Sequence, residues 1–473
     1  MQHYQKRAAA VAKRSVLAIA VLAGLVISAN AAAADDGSLT WNGITLYGAA
    51  DVGVAYQSHG APLSQDVYFG LDYLVSKNGN KSTTSLAPNG LSQSKIGLKG
   101  TEKLTDGLDF VFNLEMGFNP TSGRLSDALA SLVHNNGKAA VDQKTASDGS
   151  RAGQVFNGPA FAGVSSKEFG TLTLGRHNTP LADVIGKDDP QAGSYAFSVI
   201  GYSGATAGGG NTENVRADNS VKYNYNYQHF RFAAMWQFGK NDGSPGDGGQ
   251  VSVGADFGGL SVDGVYAFKN TSIAAGSLSA TQIAPCATAT ATGCGLAHDS
   301  LAATISDNES WTLAANYKLD DQWKLFGGYE QITYSNPSNP LAAGFDGLGG
   351  YTISVTNNNA YAFDKKLKVS WVGARFQLSK EWSLAGGYYH YDQNDYHSAK
   401  NSTGEIVRAP CSNNGFAQCS GNLDAFSLVA DYRFTKRFDA YAGVMYSKVA
   451  DGLSNGYLHD NNTNLMTGLR FQF

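Results

Sequence analysis

The chain has 473 residues, of which 42% are hydrophobic, 11% aromatic and only 16% charged, with a formal net charge of −4. This length suits one large domain or three small ones. Residues 1–34 hold four of the 35 Lys and Arg residues and none of the 39 Asp and Glu residues, so the rest of the chain has a formal net charge of −8. This acidic balance disfavours nucleic acid as a partner.

Residues 1–34 have the pattern of a secretory signal peptide. An almost wholly apolar stretch, residues 16–29, is followed by alanine-rich sequence and preceded by the basic residues Lys6, Arg7, Lys13 and Arg14. A transmembrane helix is the alternative, but the stretch is short of the roughly 20 apolar residues that a span needs. We predict cleavage between about residues 31 and 35, which leaves 35–473 as one mature domain.

The hydrophobic pattern of the mature chain has a period of two, which indicates β-strands rather than helices. In one example, Trp311, Leu313 and Tyr317 alternate with Thr312 and Asn316. Sixteen such runs start near Leu39, Leu91, Leu108, Gly153, Thr171, Ser220, Phe230, Gln250, Leu260, Ser310, Trp323, Lys368, Trp382, Asp424, Phe438 and Asn462. The connections between them alternate between short and long.

This alternation predicts an all-β fold, a 16-strand antiparallel up-and-down barrel with its short turns at one end. An open sheet of this size would leave two unpaired edges, which closure removes. A 16-strand lumen is too wide to be filled by apolar side chains, so the apolar faces should contact lipid and the polar faces should line a wet interior. Aromatic residues beside the short turns predict an interfacial girdle; they are Phe169, Phe230, Phe257, Trp323, Trp382 and Phe438. The alternative is a large soluble β protein with these aromatics in its core.

The last strand-like run, residues 462–473, ends in an aromatic residue. Leu469, Phe471 and Phe473 alternate there with smaller or polar residues. Chain ends usually fray unless they are tied down. We therefore predict that this run is the closing strand, paired with the first strand, and that Phe473 faces outward at the turn-side rim.

Three stretches resemble the trimeric general porins of Gram-negative outer membranes. Residues 45–56, TLYGAADVGVAY, are similar to the family's opening strand. Residues 92–118, SQSKIGLKGTEKLTDGLDFVFNLEMGF, resemble its S-R-x-G-x-K-G-x-E-x-L-x-x-G-L pattern and the strand that follows. Residues 156–183 are similar to the F-N-R…G-x-L-x-L-G-R segment that enters the family's constriction loop.

The resemblance implies a water-filled pore for small ions and hydrophilic solutes, exported to the outer membrane of a Gram-negative bacterium. It also implies a homotrimer in contact with outer-membrane lipid and lipopolysaccharide. Phe473 is similar to the family's C-terminal assembly signal, which is read by the barrel-insertion machinery. The third long loop, residues 177–219, should fold inward and narrow the pore.

In the family, acidic residues of this loop face a basic cluster on the wall. The corresponding constriction residues here are Asp183, Asp188 and Asp189 on the loop, which also contains Lys187 and Glu213, and Lys95, Lys99, Arg176 and Lys222 on the wall. Lys95 and Arg176 match the family's wall arginines, and alternation with Ile96 and Leu98 points Lys95 and Lys99 inward. Such charges form a transverse field; the alternative role is to form ion pairs that pin the loop.

One departure from the family pattern affects ion preference. The arginine of F-N-R is replaced by Gly158, which is followed by Pro159. The loss of that cation weakens an anion preference. Together with the mature charge of −8, it favours weak cation selectivity.

Four cysteines lie in two long loops, and an exported protein meets an oxidising compartment. Four cysteines allow three pairings. Equal spacing within separate loops favours disulfides Cys286–Cys294 and Cys411–Cys419. Zinc binding is disfavoured because no histidine lies at ligand spacing beside either pair.

Alternatives to a general pore are a solute-specific channel, a plugged structural or adhesin barrel, and an outer-membrane enzyme such as a lipid hydrolase. A hydrolase needs a Ser/His pair on the outer wall, and none is evident. GLSNG, residues 452–456, matches G-x-S-x-G but lacks the strand–turn–helix context of a nucleophile elbow. We predict no catalytic residue, no cofactor and no metal site.

Overall fold

The computed structural model describes residues 39–67, 70–149, 153–200, 212–239, 245–283, 296, 299–408 and 419–473. The predicted signal peptide, residues 1–34, lies outside these residues. Sixteen antiparallel strands, numbered along the chain, form the wall of a barrel: β2 (Ile44–Gly60), β4 (Lys95–Thr105), β5 (Leu108–Gly117), β6 (Ala160–Ser166), β7 (Gly170–Asn178), β8 (Arg216–Tyr227), β9 (Phe230–Gln237), β10 (Gly248–Phe257), β11 (Leu260–Gly276), β12 (Leu301–Lys318), β13 (Trp323–Ser335), β16 (Lys365–Gln377), β17 (Trp382–Gln393), β20 (Gly421–Arg433), β21 (Phe438–Asp451) and β22 (Asn461–Gln472).

The remaining elements are short, and several of their strands extend the wall sheet by pairing with β2 or β12. Six are strands: β1 (Thr40–Trp41), β3 (Lys81–Pro88), β14 (Phe345–Leu348), β15 (Tyr351–Asn357), β18 (Ser398–Lys400) and β19 (Ile406–Arg408). The helical segments are Gly70–Tyr73, Ala128–Val133, Ala140–Asp142, Pro180–Asp188, Ala280–Ile283 and Gly452–Ser454. No helix in the described part of the chain is long and apolar enough to cross a membrane.

The sheet closes because β22 pairs with β2 as well as with β21. The β2–β22 register runs from Ala49 opposite Gln472 to Gln57 opposite Asn464. Beyond it, Gly48 and Phe473 exchange two backbone hydrogen bonds of 3.0 and 3.1 Å. The Phe473 ring lies over Gly48, where an added Cβ would be 2.5 Å from the ring. The predicted closed 16-strand barrel is confirmed.

The two faces of each wall strand differ in chemistry. On β12, Trp311, Leu313 and Tyr317 are among the exposed large apolar side chains, whereas Thr312 and Asn316 are buried on the opposite face. Five of the six predicted girdle residues are exposed beside the short turns, namely Phe169, Phe230, Phe257, Trp323 and Trp382, and the sixth, Phe438, is half-buried. An apolar exterior around a polar interior is the arrangement of a membrane-spanning barrel.

Eight long loops alternate with seven short turns. Loops 1 to 8 comprise residues 61–94, 118–159, 179–215, 238–247, 277–300, 336–364, 394–420 and 452–460. Two strand starts differ most from the sequence prediction: β12 begins at Leu301 rather than near Ser310, and β6 begins at Ala160 rather than near Gly153. Before β6, the Asn157 side chain accepts a hydrogen bond from the Gly117 amide at 2.7 Å and donates one to the Gly117 carbonyl at 2.9 Å. These two bonds take the place of backbone pairing between strands.

The largest apolar cluster lies inside the barrel. Loop 1 contributes Tyr73 and Val75, and loop 3 contributes Phe197 and Val199. They pack against inward-facing side chains of β16, β17 and β20 to β22, including Trp371, Tyr389, Tyr391, Leu423, Tyr441 and Met466. Loops 1 and 3 therefore cover this part of the inner wall.

Candidate pore constriction

Loop 3 enters the barrel as a short helix, Pro180–Asp188. The Thr179 hydroxyl accepts a hydrogen bond from the backbone amide of Ala182 at 3.2 Å and caps the helix, and Pro180 occupies the first turn. The buried face of the helix includes Leu181, Val184 and Ile185. This face packs against the inner wall formed by β9 to β13. The sequence thus directs the chain inward, along the wall.

Two ion pairs attach this helix to the wall. Lys222 of β8 lies 2.5 Å from the Asp183 carboxylate and donates a second hydrogen bond to the carbonyl of Asn178. Lys187, one turn further on, pairs with Asp263 of β11. The Asp183–Lys222 contact joins a loop carboxylate to a wall cation, and in this geometry it pins the loop.

Two further acidic residues of the loop, Asp188 and Asp189, are fully buried. Asp188 accepts a hydrogen bond of 2.5 Å from the side-chain amide of Asn316, and burial raises its pKa to about 6. Asp189 accepts hydrogen bonds from the backbone amide of Gly193 at 2.7 Å and from the Tyr389 hydroxyl at 2.9 Å. These contacts brace the backbone of the loop.

Beyond the helix, loop 3 follows the wall across β16, β17 and β20. The Arg375 guanidinium donates to the carbonyls of Pro190 and Asp189 at 2.6 and 2.9 Å. The Gln191 amide donates to the Ser427 hydroxyl at 3.0 Å. Gln250 of β10 holds both the entering arm of loop 3 and its return arm, which leads back to β8. Its side-chain oxygen accepts a hydrogen bond from the backbone amide of Leu181 on the entering arm, and its side-chain amide donates to the carbonyl of Thr212 on the return arm. Both described arms therefore lie against the wall.

The tip of loop 3 reaches the end of loop 1. The carbonyl of Gly90 accepts hydrogen bonds from the Ser194 hydroxyl at 3.0 Å and from the Ala196 amide at 2.9 Å. The Tyr195 hydroxyl lies 3.4 Å from the side-chain oxygen of Gln93, beside β4. The loop thus presents Tyr195 to the wall formed by β4, β5 and β8.

That wall carries a cluster with more cations than anions. The Glu115 carboxylate lies 2.7 Å from Lys95 and 3.5 Å from Arg216. The ammonium group of Lys99, which is exposed, lies 5.4 Å from the centre of the Tyr47 ring. The Tyr47 hydroxyl donates to Asn113 at 2.7 Å. Within the described residues, Lys99 has no carboxylate partner, so the cluster has a surplus of positive charge.

Sequence reasoning missed two members of this cluster, Glu115 and Arg216. Glu115 lies within the quoted motif LEMGF and faces inward because it alternates with outward-facing apolar residues of β5. That alternation could have identified it. Arg216 lies at the start of β8, inside the range assigned to the loop, where no periodic pattern indicated its direction.

Arg176 makes a different contact from those of the other predicted wall cations. It pairs with Asp218 of β8 and donates to the carbonyl of Asn157 at 2.9 Å. The contacts described for Arg176 are therefore with β8 and with loop 2.

Of the four cysteines, only Cys419 falls among the described residues. It is buried and its sulfur is in a disulfide. Cys286, Cys294 and Cys411 lie outside the described residues. The predicted pairing therefore stays a prediction.

Comparison with known proteins decides the family. A model of the Gram-negative porin family matches residues 18–452. The chain belongs to the Gram-negative porin family. An outer membrane porin protein of Bordetella pertussis is 31% identical over 235 residues, which is 49% of each chain, so that match spans about half of the relative's length. Outer membrane porin protein 32 of Delftia acidovorans is 25% identical over 79% of this chain and 88% of its own.

Solved porin structures share the fold. The anion-selective porin from Comamonas acidovorans has a TM-score of 0.58 at 19% identity, over 91% of this chain and 99% of that one. A trimer form of OmpT from Vibrio cholerae has a TM-score of 0.53 at 15% identity, again over 91% and 99%. The fold of this porin is therefore that of known outer-membrane channels.

Proposed function

We propose that this porin is an outer-membrane channel through which small hydrophilic solutes and ions diffuse passively. The observation that carries the proposal is the barrel itself, apolar outside and charged inside. Loop 3 supports an open channel rather than a plug, because both of its described arms are bonded to the wall by Gln250. Diffusion through such a channel needs no catalytic group.

The wall cluster supports an anion preference, which differs from the cation preference that net charge favoured. Among the described residues, Lys95 and Arg216 share one carboxylate, that of Glu115, and Lys99 contacts the ring of Tyr47 and no carboxylate. The loop carboxylates do not balance them, because Asp183 is paired with a cation, Asp188 and Asp189 are buried, and burial raises the pKa of Glu213 well above its usual range. A local surplus of cations attracts anions to the narrow part of a pore.

Three further properties belong to the proposal by family resemblance. We infer that the porin is a homotrimer, as the OmpT trimer form is. Residues 1–34 direct export and are removed, and the terminal Phe473 is read by the insertion machinery. Mass spectrometry of protein purified from outer membranes tests the export proposal: a mature chain beginning between about residues 31 and 35 is expected.

Single-channel recording in planar bilayers tests the channel. Refolded protein under a KCl gradient should give large ohmic steps, grouped in threes if the trimer is correct. The reversal potential should have the sign of chloride preference. Properly inserted protein that conducts no current would contradict the channel and favour a plugged barrel, whereas conducting protein with the sign of potassium preference would contradict only the anion proposal.

A further inference from the structure

Loop 2 contacts a loop that leaves the opposite side of the barrel. Loop 2, residues 118–159, follows β5, the third strand of the wall, and loop 6, residues 336–364, follows β13, the eleventh of the sixteen. The two loops therefore leave the wall eight strands apart, at opposite points of the ring. The Tyr351 hydroxyl of loop 6 nevertheless donates a 2.9 Å hydrogen bond to the Asp127 carboxylate of loop 2. Loops 2 and 6 thus meet across the mouth of the barrel.

A second apolar cluster forms where these loops meet. The helix of loop 2, Ala128–Val133, packs against β11 and contributes the fully buried Leu129 and the buried Leu132. The other members belong to the loop-side ends of β11 and β12 and to loop 6; they are Ile273, Leu301, Ala303, Ile305, Leu348 and Ile353. Because side chains from both sides of the barrel share one buried cluster, the contact is a packed interface and not a single hydrogen bond.

Loop 5, which follows β11, adds directional contacts to this interface. The Asn136 side chain donates to the carbonyl of Ser300 at 2.7 Å and accepts a hydrogen bond from the backbone amide of Leu278 at 2.7 Å. The Gly137 amide donates to the carbonyl of Leu278 at 2.9 Å. These hydrogen bonds fix the position of the outer part of loop 2 on the far side of the mouth.

The near ends of the same segment are held by loop 1. The Asp127 amide donates to the carbonyl of Asp66 at 2.9 Å, and the Thr145 amide donates to that of Pro62 at 3.0 Å. Residues 127–145 therefore form a bridge, which is attached to loop 1 at both ends and to loops 5 and 6 along its length. A segment that is held on both sides of an opening cannot swing clear of it without breaking these contacts.

We propose that the bridge sets a size limit for solutes at the outer mouth, ahead of the loop 3 constriction. The inference rests on the proposed channel, because a solute that diffuses through the barrel must first pass beside the bridge. In outer-membrane barrels the long loops face the cell exterior, and selectivity follows from the width of a pore as well as from its charge. The bridge should therefore exclude oligosaccharides more strongly than monosaccharides, whereas the ion preference stays with the wall cluster.

Removing the bridge tests the size limit. Residues 128–144 are replaced by a flexible Gly-Ser linker of about six residues, which keeps Asp127 and Thr145. Their partners Asp66 and Pro62 are four residues apart, hence at most about 14 Å, a distance that this linker spans.

The size limit is measured by the swelling of liposomes that contain the refolded mature protein. Neutral sugars from a pentose to a tetrasaccharide serve as probes, so that the wall cations do not affect the result. The ratio of the trisaccharide rate to the pentose rate should be several-fold higher in the linker variant than in the wild type. The reversal potential under a KCl gradient should keep its wild-type value, because the wall cluster is unchanged.

A point variant decides the matter if the linker variant does not refold. Leu129→Asp places a charge in the apolar cluster and should detach the helix of loop 2 from loops 5 and 6, without a change in the wall. It should raise the same ratio. Leu125→Asp is the matched control and should keep the wild-type ratio, because Leu125 belongs to the same loop but is 38% exposed and lies outside the cluster.

The possible failures of the bridge and of the channel are distinguishable. A folded linker variant with the wild-type ratio would overturn the size limit at the mouth and leave the proposed channel intact. If only Leu129→Asp folds, a wild-type ratio in that variant would overturn it equally. A correctly inserted wild type that admits neither ions nor a pentose would contradict the channel, and the size limit with it.

Discussion

Replacing Lys99 by glutamine tests whether uncompensated wall cations set the ion preference. Lys99 is exposed, and its nearest described partner is the ring of Tyr47, 5.4 Å away. Lys95, in contrast, lies 2.7 Å from the Glu115 carboxylate. Lys99→Gln should therefore remove one full positive charge from the accessible lumen and leave the neighbouring ion pair intact.

The size of the effect follows from Coulomb's law. In water, two unit charges about 7 Å apart interact by about 0.6 kcal/mol, and screening at roughly 0.1 M salt reduces this to about 0.3 kcal/mol. Losing the cation disfavours an anion by this amount and favours a cation equally. The anion-to-cation permeability ratio should therefore fall by about three- to sevenfold.

Reversal potentials under a KCl gradient measure this ratio. Lys103→Gln is the matched control, because Lys103 lies on the same strand but pairs with Asp106 in the short turn at 2.6 Å. That variant should keep the wild-type reversal potential. The reasoning would be refuted if Lys99→Gln shifted the reversal potential no more than Lys103→Gln did.

Three other changes probe the loop and the closure. Asp188, with its pKa raised to about 6, keeps a proton in the folded state that the unfolded chain releases near pH 4. Thermal stability should therefore fall from pH 4 to 6, and Asp188→Asn should make this fall smaller in unfolding scans. Gly48→Val should cost about 1–3 kcal/mol by clashing with the Phe473 ring, seen as a lower temperature of barrel unfolding on heated gels. Lys222→Met should weaken loop anchoring by only about 1 kcal/mol, because Asp183 is half exposed, and should increase brief closures in single-channel records; unchanged closure frequency would contradict this.

The barrel could be predicted from sequence because its physical requirement repeats in every strand. Each wall strand must present apolar side chains to lipid and polar ones to the lumen, so alternation such as Trp311, Thr312 and Leu313 is visible without any contact information. The closing strand was predictable for the same reason. What alternation does not encode is where pairing stops, which is why the start of β6 was placed too early.

The partners of the constriction residues could not be predicted, because they depend on where loop 3 runs. Asp189 was assigned to the field across the pore, yet it bonds Tyr389, which lies 200 residues further along the chain. The pairing of Lys222 with Asp183 agrees with the family pattern, because that pattern gives the path of loop 3 as well as the residue types. Arg216 lay beyond that pattern, whereas its carboxylate partner, Glu115, lay within a matched stretch, where the alternation of β5 could have identified it.

Net charge was a poor guide to ion preference because it counts every carboxylate equally. A carboxylate contributes to the field in the pore only if it is ionised, accessible and unpaired. Asp183 has Lys222 beside it, burial favours the protonated form of Asp188, and Asp189 is enclosed by hydrogen-bond donors. The fourth acidic residue of loop 3 is Glu213, and burial raises its pKa well above the usual range. Loop 3 therefore carries four acidic residues and yet opposes little negative charge to the wall cluster. An acidic protein can in this way have a constriction that favours anions, because the ion responds to charges within about a Debye length rather than to the sum over the chain.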